Sequence, residues 1–128
     1  MGLFKDIFGA STEQSSSKFQ WNYLESIADL DVAEELSNEK TVVLFKHSTR
    51  CSISRFVLKQ FENSVVIPAE KMEFYFLDLI ENRSISNEIA ERFGVIHQSP
   101  QMIVLQEGKA VYNASHESID AKALEKLV

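Results

Sequence analysis

The 128-residue chain has one cysteine, Cys51, set in His47-Ser48-Thr49-Arg50-Cys51-Ser52-Ile53-Ser54-Arg55. A single thiol rules out an internal disulfide, a CxxC dithiol couple and a multi-cysteine zinc site. What it can do is attack another sulfur, and the thiolate is the attacking form. Cys51 comes five residues after an apolar, β-rich run that ends at Lys46, where a helical pattern begins. A thiol at a helix N-terminus faces unpaired backbone N–H groups and the positive end of the helix dipole, and both favour the anion. Lys46, Arg50, Arg55 or a protonated His47 would add to that field if their heads turn inward. A buried, inert cysteine is the plainer reading. The junction between a central strand and its following helix, a recurrent ligand position, favours the reactive one.

Ser54 occupies the position where a dithiol oxidoreductase carries its resolving cysteine, so the motif is CxxS. A hydroxyl there could hydrogen-bond the sulfur and stabilise its charge, but it cannot resolve a mixed disulfide. The chemistry must therefore be monothiol, with the second thiol coming from outside. Ser52 suits the helix start. His47 either tunes the thiolate and takes a proton from an incoming thiol, or lies exposed and uninvolved. His97 and His116 fall on expected loops, too scattered for a metal site, and read as surface residues. A second landmark is Ser99-Pro100-Gln101, directly before a strand-like run, where a proline has no ladder hydrogen bond to lose. Pro68 reads as a loop marker.

These residues need elements to hold them. Ile27, Leu30, Ala33 and Leu36 recur at helical spacing within Ser26–Leu36. Thr41–Lys46 is continuously apolar until its last residue, as in a strand covered on both faces. Ser52–Phe61 places Ile53, Phe56, Val57, Gln60 and Phe61 on one helical stripe. Glu73–Asp78 reads as a strand and Ser86–Phe93 as a helix stopped by Gly94. Gln101–Leu105 and Ala110–Asn113 read as a hairpin about Gly108, and Ile119–Val128 as a last helix. The order β-α-β-α-β-β-α gives an α/β domain with a mixed central sheet flanked by helices, which is the thioredoxin-like order. In that fold the bond before Pro100 is expected to be cis and to turn the Ser99 backbone toward a thiol ligand. Trp21 and Tyr23 are expected in the core, and the acidic residues near Glu34, Glu35 and Glu39 on a solvated helix face.

The domain is expected over residues 19–128, behind an N-terminal segment of residues 1–18. In that segment Leu3, Phe4, Ile7 and Phe8 could share a helix face, and Ser11–Ser17 reads as a polar linker. The composition, 45% apolar and 25% charged, is that of a globular domain rather than a disordered chain. A net charge of −6 argues against a dedicated nucleic-acid binder. No apolar run approaches the roughly 20 residues that span a bilayer, and the first residues lack a signal-peptide pattern. A cytoplasmic protein with no bound cofactor and no metal is expected.

The sequence resembles the monothiol bacilliredoxins of the YtxJ type, within the thioredoxin-like superfamily. The resemblance rests on FKHSTRCSIS around Cys51, on Ser99-Pro100-Gln101 and on the Trp21–Leu30 segment, and it extends over about residues 20 to 128. The family pattern is TCPIS after KHS; here Arg50 precedes the cysteine and Ser52 replaces the proline. The resemblance implies removal of bacillithiol, a cysteinyl-glucosamine-malate thiol, from S-thiolated client proteins. Cys51 would be the nucleophile, and His47, Arg50 and Ser54 would tune it. Thr49, Ser52, Ile53, Ser99, Pro100 and Gln101 are expected to contact the substrate, and Lys46, Arg50 or Arg55 to suit the malate carboxylates. Glutaredoxin-like deglutathionylation and a non-catalytic adaptor are the rival readings. Iron–sulfur cluster delivery, known for CxxS glutaredoxins, has no supporting feature in the sequence.

Overall fold

The computed structural model describes residues 19–67 and 70–128. The apolar set Leu3, Phe4, Ile7 and Phe8, the serine-rich tract, the division after residue 18 and Pro68 lie outside the described residues. Five strands form one sheet: β1 (Asn22–Tyr23), β2 (Thr41–His47), β3 (Met72–Asp78), β4 (Gln101–Gln106) and β5 (Lys109–Ser115). Their spatial order is β1-β3-β2-β4-β5. β3 lies parallel to β1 and β2, while β4 runs antiparallel to β2 and β5. The helices are α1 (Ile27–Leu36), α2 (Ser52–Ser64) and α3 (Arg83–Phe93). β2 is central and buried along its whole length, as its unbroken apolar run requires.

Strand alternation divides the core in two. Val42 and Leu44 face one side, where they pack with Leu30 and Ala33 of α1 and Ile85 and Ile89 of α3. Val43 and Phe45 face the other, with Val57 and Phe61 of α2 and with Leu124. Ser26 caps α1 in a reciprocal box with Asp29. Gly94 ends α3 in the left-handed region at φ 67°. Glu107 and Gly108, both at positive φ, make the two-residue turn between β4 and β5.

The structure differs from the sequence reading in several places. β1 is an added edge strand of two residues, too short to show a period. α3 starts at Arg83 rather than Ser86. The expected last helix is a 3-10 segment, Ala121–Leu127. Its apolar residues Ala121, Leu124 and Leu127 recur every three positions, and three residues per turn puts them all on the core. The α2 stripe splits: Val57 and Phe61 are buried, whereas Ile53 and Phe56 are 49% and 64% exposed. Trp21 joins the core beside Phe45 and Phe61 and donates from Nε1 to Glu62 at 2.6 Å. Tyr23 is exposed.

Candidate active site

β2 ends where two loops meet the same edge of the sheet. One runs forward from His47 to Cys51; the other arrives at Gln101, the cross-strand partner of Lys46. Cys51 is the N-cap residue of α2 and is partly exposed. Its N–H donates to Ser48 O at 3.2 Å, and its carbonyl accepts from Arg55 N at 3.1 Å. Cys51 therefore stands at the head of a 13-residue helix, where backbone N–H groups are unpaired, and its side chain makes no cap hydrogen bond. No acidic side chain occupies that first turn to compete for the positive end.

Beneath this loop lie His47, 4% exposed, and Ser54, fully buried. Ser54 Oγ accepts from Ser48 N at 3.1 Å and pairs with His47 Nδ1 at 2.9 Å. Burial holds the His47 pKa below the ordinary histidine value; Arg55 adds to that, and Asp78 and Glu62 oppose it. A neutral ring in the Nε2–H tautomer accepts the serine proton on Nδ1. The Ser54 oxygen is thus engaged with both the loop and the ring. His47 is buried rather than exposed.

The second loop is built on the opposite face of β2. The Ser99–Pro100 bond is cis. Gln101, 1% exposed, donates from Nε2 to Ile96 O at 3.0 Å and accepts from Gln98 N at 3.3 Å. Its side chain, expected on the substrate, is consumed in the loop. Lys46 is fully buried, with Nζ 3.0 Å from His97 Nδ1, and Ser86 Oγ lies 3.2 Å from the same nitrogen. Burial, reinforced by Arg83, lowers the Lys46 pKa to about 8. Burial, then Lys46 and Arg83, lowers that of His97. Lys46 is therefore withdrawn from the malate contact expected of it, and His97 is not a simple surface residue. Alternation along β2 carries the signal for this: Lys46 and His47 must point to opposite faces.

Thr49, Arg50, Ser52 and Ile53 surround Cys51 on the exposed side. Arg55 Nη1 donates to Thr49 O at 3.1 Å, bracing the loop from outside. Ser99 is partly exposed, but its Oγ is buried and has no hydrogen-bond partner among the described residues. Pro100 is buried, and its carbonyl accepts from His116 N at 3.0 Å. A groove of about 530 Å³ starts at Ser52 and Ile53 and follows α2 past Phe56, with Glu117, Ile119 and Asp120 on its far wall. The sequence reading missed this groove because its far wall comes from a short 3-10 turn, His116–Ser118, and the two residues that join it to the 3-10 segment Ala121–Leu127. Among the described residues no cluster of His, Cys, Asp and Glu could hold a metal, and no helix is long and apolar enough to cross a membrane.

The family model for monothiol bacilliredoxin BrxC matches residues 22–124, which includes the whole site. The chain belongs to that family. Among solved structures, a thioredoxin-fold protein assigned as an oxidoreductase is 32% identical, with a TM-score of 0.68. That alignment covers 81% of this chain and 89% of the other. A thioredoxin from Malassezia sympodialis is 20% identical with a TM-score of 0.66, covering 84% of this chain and 87% of that one. Mitochondrial thioredoxin 3 from Saccharomyces cerevisiae is 15% identical with a TM-score of 0.62, covering 84% and 92%. The last two show the fold alone. The architecture is the thioredoxin fold, and membership of the bacilliredoxins points to thiol redox chemistry.

Proposed function

We propose that the protein is a monothiol disulfide reductase that removes bacillithiol from mixed disulfides on client proteins. The observation that carries this reading is the placing of Cys51: a partly exposed cysteine at the head of α2, next in sequence to Ser52 at the start of an open groove. The residue three positions on, Ser54, is buried and committed to the loop. The Cys51 thiolate attacks the bacillithiol sulfur of the client disulfide. A bond forms between Cys51 and that sulfur, the client S–S bond breaks, and the client leaves as a thiolate that takes a proton from solvent. The client cysteine is reduced, and the enzyme holds bacillithiol as a mixed disulfide. A second small thiol, as thiolate, attacks the bacillithiol sulfur, so that a small-molecule disulfide leaves and the Cys51–S bond breaks to free the Cys51 thiolate; Ser54 offers no thiol to do this.

Arg50 and Arg55 are exposed beside the sulfur and suit the malate carboxylates, because charge-assisted bonds to arginine are the stronger kind. The groove along Ile53 and Phe56 gives the flanking residues of the client an apolar bed. No resident cofactor enters the cycle; bacillithiol is substrate. The test is intact mass after mixing the reduced protein with oxidised bacillithiol and, separately, with oxidised glutathione. A bacillithiol adduct on Cys51 that forms faster than the glutathione adduct is expected. Equal or faster glutathionylation overturns the choice of thiol, and no adduct with either overturns the reductase.

A further inference from the structure

We propose that Lys46 is a positioning residue for the reaction, holding the Ile96–Ser99 loop, and with it Pro100, in place through the His97 ring. The proposal rests on the reading of Cys51 as the reacting group, but its structural half stands without that reading. Lys46 shares its sheet face with Val42 and Leu44, in a core where an apolar side chain would fill the space without penalty. Burying an ammonium group is costly unless hydrogen bonds offset it. Among the described residues its hydrogen bond goes to His97 Nδ1, and the charge facing it is the like charge of Arg83 on α3. The lysine thus does what no apolar residue could: it donates to a loop.

His97 stands between the two residues that Gln101 holds, Ile96 by its carbonyl and Gln98 by its N–H. Lys46 and Gln101 are cross-strand partners, so their side chains rise from adjacent points on one face. Together they clamp three consecutive loop residues, and Ser86 Oγ steadies the ring from α3. Ser99 and Pro100 follow directly. On the other face of the same strand, His47 holds the Cys51 loop through Ser54. Consecutive residues of β2 thereby anchor the two loops that frame the site.

Lys46→Met keeps an unbranched side chain one atom shorter and removes the donor. His97→Leu removes the acceptor, and His97→Gln supplies another in the amide oxygen. We expect native-state amide exchange at Gln98 to quicken in Lys46→Met and His97→Leu and to return toward wild type in His97→Gln. With a client mixed disulfide, KM should rise about tenfold in the first two variants, near the worth of one hydrogen bond to a charged group. The rate of Cys51 alkylation by iodoacetamide should hold. Unchanged Gln98 exchange overturns the proposal, as does faster exchange across every element alike, which marks a purely structural lysine. If Lys46→Met does not fold, the two His97 variants decide. The exchange measurement uses no substrate, so it decides the clamp even if Cys51 accepts no bacillithiol.

Discussion

His47 and Ser54 are the buried polar pair beneath Cys51, and removing either leaves the other with an unmet hydrogen bond. Ser54→Ala strands His47 Nδ1 and Ser48 N–H together, and an orphaned buried group costs about 1–3 kcal/mol. An unfolding free energy lower by at least about that amount, read as a reduced urea midpoint at unchanged slope, is the expected outcome. Cys51→Ser should bind clients yet form no mixed disulfide, which intact mass reads directly. The place of Cys51 at the head of α2 is legible in the sequence because the apolar strand run and the helical stripe bracket it. The partners of Ser54 are not, because CxxS spacing says where the hydroxyl begins and not which way it turns. Only the burial of His47 beneath the loop settles that direction.

α2 has two faces with different duties. Val57 and Phe61 bind it to the sheet, while Ile53 and Phe56 line the groove. Phe56→Glu should leave stability within about 0.5 kcal/mol of wild type, as for other exposed sites. It should weaken turnover of protein disulfides while sparing a small disulfide, a split that steady-state kinetics on both substrates would show. Leu124 is fully buried beneath the same helix, and Leu124→Ala should cost about 2–5 kcal/mol in the same urea assay. Sequence patterning found α1, α2, α3, β2, β3 and the hairpin, since each runs long enough for a stripe, an apolar run or a stop signal to show. It missed β1, whose two residues carry no period, and took the closing 3-10 segment for an α-helix, because three-residue spacing suits both over so short a run. The α2 stripe looked uniform because hydrophobicity alone does not separate a face that meets the sheet from one that meets a groove.

The site's buried titratable groups set how the whole molecule responds to pH. His47 and His97 both have folded pKa values below the ordinary 6.5, chiefly through burial. The native state therefore stays neutral while the unfolded chain takes up protons. Stability should fall as pH drops below about 6.5, where the unfolded chain binds more protons. Lys46 acts at the other end: it releases its proton near pH 8 in the folded protein and near 10.5 when unfolded. Stability from this group should thus rise between those values, and Lys46→Met should flatten that alkaline limb. Thermal midpoints across the range would show both slopes. The alternation of Lys46 and His47 also binds redox competence to sheet assembly. β2 is held in a single alignment with β3 on one flank and β4 on the other. A slip of one residue would turn the ammonium toward α2 and the imidazole toward α3. Both moorings would fail in the same event, so a misaligned chain would be catalytically silent with every residue around the sulfur intact.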